Sequence, residues 1–259
     1  MIGFQEFIKS NRNMRVIGLM TIHYGKEYLK ESLLSVKNHC EKIVVAYTSK
    51  PSHGFGTTEI CPDTKEEIYK IASETLGDKL IWDEYDNYQA ENQHRRQVHN
   101  YSMGYDLVLT IDADEVFEPS ELDNALNYAY TNKERYYGIK GYVNFWRSFN
   151  WACYDGFRPI RIENLGANNN LQNHECPLTI YHFSTAQSEP VMRYKYKIFG
   201  HANEIKTDWL DKIHYGWTPK NNFGDLHPVS INLWNAVPFA KHNLPEFLKQ
   251  HPNFNKELI

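Results

Sequence analysis

The sequence has no long apolar run. The longest such stretch near the amino terminus, Val16 to Ile22, is seven residues, against the roughly 20 that a membrane-spanning helix needs. No basic-then-apolar leader precedes it, so no transmembrane segment is expected and the reading is a cytoplasmic protein. Cysteine is scarce: Cys40, Cys61, Cys153 and Cys176 lie far apart and form no Cys-x-x-Cys pair, which argues against a zinc knuckle or a disulfide scaffold and for a reducing compartment. Excess positive charge is missing too. The formal net charge is −4, so bulk electrostatic binding to nucleic acid is not supported. Neither an internal repeat nor a low-complexity tract is present.

What is there is ordinary in bulk and ordered in pattern. The chain has 259 residues, 41% hydrophobic and 23% charged, enough to bury a full core. Aromatics are abundant, with 18 Tyr and 6 Trp; their flat faces suit both core packing and stacking on rings. Apolar strand-length runs at 14–22, 42–47, 79–82 and 106–111 alternate with helical spacing over 24–37, 64–77, 89–103 and 120–131. Thr64-Lys65-Glu66-Glu67 is a capping box that opens the second helix. This alternation predicts an α/β fold with a mostly parallel sheet flanked by helices. After about Glu118 the chain turns irregular and aromatic-rich, with only short strand-like runs. One domain is expected: a nucleotide-binding half over 14–118, an acceptor half over 119–220 and a helical extension over 221–259.

At the end of the fourth strand stands Ile111-Asp112-Ala113-Asp114-Glu115. If the strand continues, two acids two residues apart point to one side and place hard oxygen ligands at the carboxyl edge of the sheet, where open α/β sheets bind ligands. A divalent cation such as Mn²⁺ or Mg²⁺, held by one or two carboxylates, completes its shell with diphosphate oxygens and neutralises a departing nucleoside diphosphate. Asp112-Ala113-Asp114-Glu115-Val116 also fits the nucleophile strand of haloacid-dehalogenase-like phosphatases, with Asp112 attacking. Against that reading, the motif stands on the fourth strand rather than the first, and no later acidic pair follows an apolar strand.

Leu109-Thr110-Ile111-Asp112-Ala113-Asp114-Glu115-Val116 resembles the acidic strand of family-2-like glycosyltransferases of the GT-A fold. Asn173-His174-Glu175-Cys176-Pro177, Ile180-Tyr181-His182-Phe183-Ser184 and the basic segment Arg193 to His201 are similar to later segments of the same family. The resemblance implies a GT-A-like fold and transfer of a sugar from a nucleotide-sugar donor, a UDP-sugar favoured, to an acceptor hydroxyl with inversion. It implies that Asp114 binds the metal directly, that Asp112 meets the ribose or the metal shell, and that His182 is a third ligand. Glu175 is then the general base, with Asp155 in reserve, and one of Arg95 and Arg96 lies near the donor phosphates. The chain departs from the family after the second strand, where Val45-Ala46-Tyr47-Thr48-Ser49 has no acid to read the base. That role falls to Asp83, Glu84 or Asp86, or to Thr21 and Tyr24.

The acceptor stays open between a surface glycan and a hydroxymethylated DNA base. Basic and aromatic residues interleave from Arg193 to Lys220, a composition that suits a sugar diphosphate, a polyanion or a flipped base. A non-catalytic domain that binds nucleotide or glycan is the further alternative.

Overall fold

The computed structural model describes residues 14–51, 57–86, 91–132, 134–167, 172–221, 224–257 and 259. The alternating half runs β1 (Val16–Ile22), α1 (Lys26–Val36), β2 (Lys42–Tyr47), α2 (Lys65–Leu76), β3 (Leu80–Glu84), α3 (Glu91–His99) and β4 (Leu107–Ile111). Each sequence-based strand and helix of this half forms within a few residues of its expected bounds; Gln89, the expected start of α3, lies outside the described residues. Thr64 caps α2 as the sequence requires, its hydroxyl accepting from Glu67 N–H while the Glu67 carboxylate accepts from Thr64 N–H.

The strands of this half are parallel and lie in the order β3-β2-β1-β4. β1 sits in the middle and is apolar along nearly its whole length because both its faces are covered. Strand alternation sorts the two layers. Met20, Ile43, Val45, Leu109 and Ile111 pack with Leu29, Leu33 and Val36 of α1 and Ile68, Ala72 and Leu76 of α2. Ile17, Leu19, Val44, Ala46 and Val108 pack on the other face with Val98 of α3. The chain leaves β1 towards β2 on one side and returns to β4 on the other, so the crevice at the carboxyl ends of β1 and β4 is a topological switch point, where ligands bind in sheets of this kind.

The second half extends the same sheet. Its elements are β5 (Glu115–Phe117), α4 (Pro119–Asn132), β6 (Tyr136–Trp146), β7 (Trp151–Cys153), β8 (Ile160–Asn164), β9 (Asn173–Thr185), α5 (Glu189–Ile198), β10 (Val237–Pro238) and the short α6 (Glu246–Lys249). β8 joins β4 antiparallel, β6 joins β8 antiparallel, and β9 runs parallel to β6 and antiparallel to β5. The sheet as a whole is therefore mixed. The expectation of short strands here is corrected by β6 and β9, of 11 and 13 residues. Polar residues such as Asn144, His174 and His182 interrupt their apolar pattern; Asn144 and His182 bond each other across β6 and β9, and His174 meets Glu134 ahead of β6. The expected helical extension over 221–259 contributes a four-residue helix and a single-turn 3₁₀ segment among turns.

A separate core built from Trp146, Trp209, Trp217, Trp234 and Met192 lies beyond β6. His214, on a π-helical turn at Trp209–His214, is fully buried there and packs on the Trp146 and Trp209 rings while Nε2–H donates to the Thr185 carbonyl at 2.9 Å. No helix among the described residues is long and apolar enough to cross a membrane. The four cysteines are free thiols, three of them buried.

Burial pushes the His214 imidazole down to about 3, against an unfolded value near 6.5. Between these values the unfolded chain binds a proton that the folded chain refuses, so stability is complete above pH 6.5 and falls as pH drops towards 3. Thermal melts at pH 7.5 and pH 5 should show a loss of midpoint in the native chain. That loss is expected to shrink in His214→Phe, whose melting point is lower overall but less dependent on pH.

Candidate active site

The crevice at the switch point is a cleft of about 730 Å³. One wall is the end of β1 and the turn into α1, from Thr21 to Gly25; its floor is Asp112 to Asp114 after β4; its far side comes from β6, β9, α5 and the loops after β7 and α5. The first residue past β4 shows how the strand aims the site. Ile111 belongs to the α1–α2 layer, so Asp112 turns to the opposite side, where α3 lies, and its Oδ1 accepts from Arg95 Nη2 at 2.8 Å. Its Oδ2 accepts from Arg161 Nη2 at 2.7 Å, because Ile162 pairs with Leu109 and brings Arg161 level with the end of β4.

The chain then turns rather than continuing as a strand, Glu115 N–H donating to the Asp112 carbonyl at 3.1 Å. This corrects the expectation that strand geometry alone places Asp112 and Asp114 side by side. Asp114 Oδ2 accepts from Gln187 Nε2 at 3.0 Å and Lys195 Nζ at 3.2 Å. Glu115 is fully buried. Its carboxylate accepts from Arg161 Nε and Nη2, each at 2.6 Å, and from the Tyr142 hydroxyl at 2.6 Å. Three acids are thus met by three cations, Arg95, Arg161 and Lys195.

Burial raises the Asp112 carboxyl, but Arg95 and Arg161 outweigh it and hold the group far below the usual carboxylate range. Asp114 is likewise raised by burial and brought below its ordinary value by Lys195 and His182. Both stay ionised at neutral pH.

β5 and β6 flank β9 so that Glu115, His182 and Asn144 stand in one cross-strand row. His182 Nδ1–H donates to Asn144 Oδ1 at 2.8 Å, which leaves Nε2 with its lone pair 3.8 Å from Asp114 Oδ1. Burial, opposed by Asp114, lowers the His182 imidazole below its ordinary value, and its ring stacks on Tyr142 at 5.0 Å between centroids. A neutral imidazole whose remote nitrogen is fixed by a carbonyl is the state in which histidine ligates a metal.

Asp114 and His182 therefore fit a cation between them. Asp112 stands close to Asp114 in the chain and meets Arg95 and Arg161, one guanidinium N–H on each oxygen. Among the described residues no group of three or more His, Cys, Asp or Glu side chains is arranged to hold a metal by itself.

The other expected residues divide. Thr21, Tyr24, Arg95, Asp155 and His182 line the cleft. Arg96, one position on from Arg95, is exposed and turned away; the α3 face decides between the two arginines. Asp83 lies outside the cleft beside Tyr101. Asp86 reaches the end of β2, where it accepts from Ser49 N–H at 2.8 Å and Ser49 Oγ at 2.9 Å. A carboxylate thus stands after β2 although β2 itself supplies none. Glu175 is exposed near the start of β9, paired with Arg158 at 2.7 Å. It is seven residues from His182, roughly 23 Å along an extended strand, so the structure does not bring it to the cleft.

Asp155 does face the cleft. Its Oδ1 accepts from Phe157 N–H at 2.8 Å and its Oδ2 from Trp234 Nε1 at 2.7 Å. In the sequence Lys195 stands out only as part of a basic run, and Arg161, Gln187, Tyr142 and Asn144 carry no motif. Isolated polar residues on strands carry no local signal of the row they form once β6, β8 and β9 pair.

Arg161 is the group that keeps Glu115 and Asp112 compatible. Arg161→Met should leave a buried carboxylate with one hydroxyl partner and destabilise the fold by about 3–5 kcal/mol, read as a lower urea midpoint. Arg96→Met, on the exposed side of the same helix as Arg95, should shift it by less than about 0.5 kcal/mol.

No protein-family model matches the chain, and no curated protein matches it. Among solved structures the chain is similar to S. aureus TarS 1-349, at 15% identity and a TM-score of 0.42, over 71% of this chain and 64% of that one, just under two thirds of its length. It is also similar to the same TarS fragment in complex with UDP-GlcNAc, at 17% identity and a TM-score of 0.37, over 49% of this chain and 34% of that one.

Proposed function

We propose that this chain is a metal-assisted glycosyltransferase of GT-A type that moves a sugar from a nucleotide sugar, a UDP-sugar favoured, to an acceptor hydroxyl with inversion. The observation that carries the reading is the switch-point cleft. It holds an ionised Asp114 beside a lone-pair nitrogen of His182 at one end and a hydrogen-bonded carboxylate, Asp155, on the far wall.

The balance of charge supports a diphosphate together with a divalent cation. Asp112, Asp114 and Glu115 are matched by Arg95, Arg161 and Lys195, so the end of β4 carries almost no net charge of its own. A donor diphosphate brings about two negative charges and a divalent ion cancels them. Asp114 and His182 would hold Mn²⁺ or Mg²⁺, which supplies Lewis-acid stabilisation of the leaving diphosphate. Arg95 and Lys195 stand beside that position as cations. Thr21 and Tyr24, at the end of β1, border the space for the nucleoside, with Asp86 beyond Thr48.

Asp155 takes the role of general base in place of Glu175. The acceptor oxygen forms a bond to the anomeric carbon as the bond from that carbon to the diphosphate oxygen breaks. The electron pair leaves with the nucleoside diphosphate, and the hydroxyl proton passes to an Asp155 oxygen. The phosphatase reading is disfavoured because both Asp112 oxygens are engaged by guanidinium groups, which leaves a poor nucleophile.

A panel of UDP-, GDP- and CMP-sugars with Mn²⁺ tests the proposal through nucleotide release. Release from one nucleotide class is expected. Asp114→Ala should lower it by at least about 10²-fold, and Asp155→Asn by about 10²–10⁴-fold, while Glu175→Gln leaves it unchanged. Hydrolysis of simple phosphate esters with no release from any nucleotide sugar would show the phosphatase instead.

A further inference from the structure

The far wall of the cleft holds more than Asp155. Trp234 has φ +69°, a left-handed backbone that is a genuine outlier for a bulky side chain. Such conformations persist only where the surroundings over-determine them, and they gather at functional sites. The surroundings here are specific. Leu226 N–H donates to the Trp234 carbonyl at 3.0 Å and His227 N–H to the Leu233 carbonyl at 3.0 Å. β10 then pairs Val237 with Ala152 of β7, the strand that leads into Asp155. Held this way, the Trp234 ring packs edge-on against Trp146 and His227 and its indole N–H donates to Asp155 Oδ2 at 2.7 Å.

Beside it Phe157 is 59% exposed, a large apolar ring at the cleft mouth. Its ring meets Tyr142 edge-on at 5.8 Å, and Tyr142 stacks on His182, so a line of rings joins Asp114's neighbour to the Asp155 wall. The basic groups that face the cleft, Arg95 and Lys195, are engaged with Asp112 and Asp114. On this far side the lysine is Lys195 of α5, held on Asp114; among the described residues that the loops after β7 and α5 and the segment before β10 bring to the cleft, Asp155, Phe157, Phe199, His227 and Trp234 among them, none is Lys or Arg.

Resting on the glycosyltransferase reading, we propose that Asp155, Trp234 and Phe157 form an acceptor subsite for an uncharged, hydroxylated ring. The ring stacks on Phe157 and presents a hydroxyl to the Asp155 carboxylate. Trp234 is a positioning residue: its indole N–H occupies one carboxylate oxygen and fixes the carboxyl plane, which leaves lone pairs of the group directed at the hydroxyl. A wall of rings without fixed cations offers a phosphorylated or polyanionic acceptor nothing to offset its desolvation. The acceptor class that fits is therefore a neutral glycoside rather than a nucleic acid or a sugar phosphate.

The test uses the full chain, Mn²⁺ and the nucleotide sugar it hydrolyses fastest, with neutral p-nitrophenyl hexosides and their 6-phosphates as acceptors. At least one neutral hexoside is expected to accelerate nucleotide release, and its 6-phosphate to do so at least about tenfold less well. Trp234→Phe, which keeps a ring but removes the N–H, should lower kcat at least about tenfold while donor KM and the melting point of the nucleotide complex stay as in the native chain. Phe157→Ala should raise acceptor KM. Asp155→Asn, a near-isosteric change, should reproduce the kcat loss if Trp234→Phe folds poorly.

Equal or better use of the 6-phosphates, no acceleration by any neutral hexoside, or a Trp234→Phe effect confined to donor KM would overturn the proposal. Failure of the underlying glycosyltransferase reading would look different, with no nucleotide sugar hydrolysed and none stabilising the fold.

Discussion

Three carboxylates within four residues cannot be buried together unless opposite charge is built around them, and both halves of this fold are arranged to supply it. Leaving a buried charge unpaired costs several kcal/mol, so Asp112, Asp114 and Glu115 constrain which elements can pack at the end of β4. β8 must pass beside β4 to deliver Arg161, which bridges Asp112 and Glu115. α3 must cross the opposite face to deliver Arg95. α5 must follow β9 closely enough for Lys195 to reach both Ser184 and Asp114. The mixed sheet beyond β4 is the scaffold that meets these demands.

The same constraint separates the acids by role. Glu115 is sealed under Arg161 and Tyr142 and works for the fold. Asp112 is a hinge of charge between two helical and strand layers. Asp114 is the acid with a replaceable partner, since an ammonium on a flexible stem can yield where a guanidinium fork holding two acids cannot. In the proposed reading Asp114 and His182 would hold the cation, and Lys195, also bonded to Ser184, would stand beside it facing the diphosphate.

How much of this was legible beforehand follows from where the physics is local. The strand and helix bounds of the first half, the Thr64 cap and the acidic strand end are written in periodicity and short motifs, which depend on neighbours a few residues away. Asp114 and His182 could be named because they stand in recognisable segments, and Arg95 because it lies one helix before the acids. That Arg95 lines the cleft and Arg96 does not is decided by the helix face, and that Glu175 stays away from it by the length of β9. Arg161 and Asn144 were invisible, since a lone polar residue on a strand acquires meaning only from the register of three other strands. Trp234 was hidden most completely: its role depends on a positive φ that no sequence pattern around Leu233-Trp234-Asn235 announces.

In the proposed reading Asp114 anchors a cation that holds a nucleoside diphosphate. Thermal melts with UDP, GDP, CDP and CMP, each with and without Mn²⁺, test it most directly, because a ligand that binds only the folded chain raises its stability. One nucleoside diphosphate is expected to raise the melting point only when Mn²⁺ is present, and Asp114→Asn to fold normally but lose that increase. Stabilisation by the nucleotide that is indifferent to Mn²⁺, or that survives intact in Asp114→Asn, would contradict it.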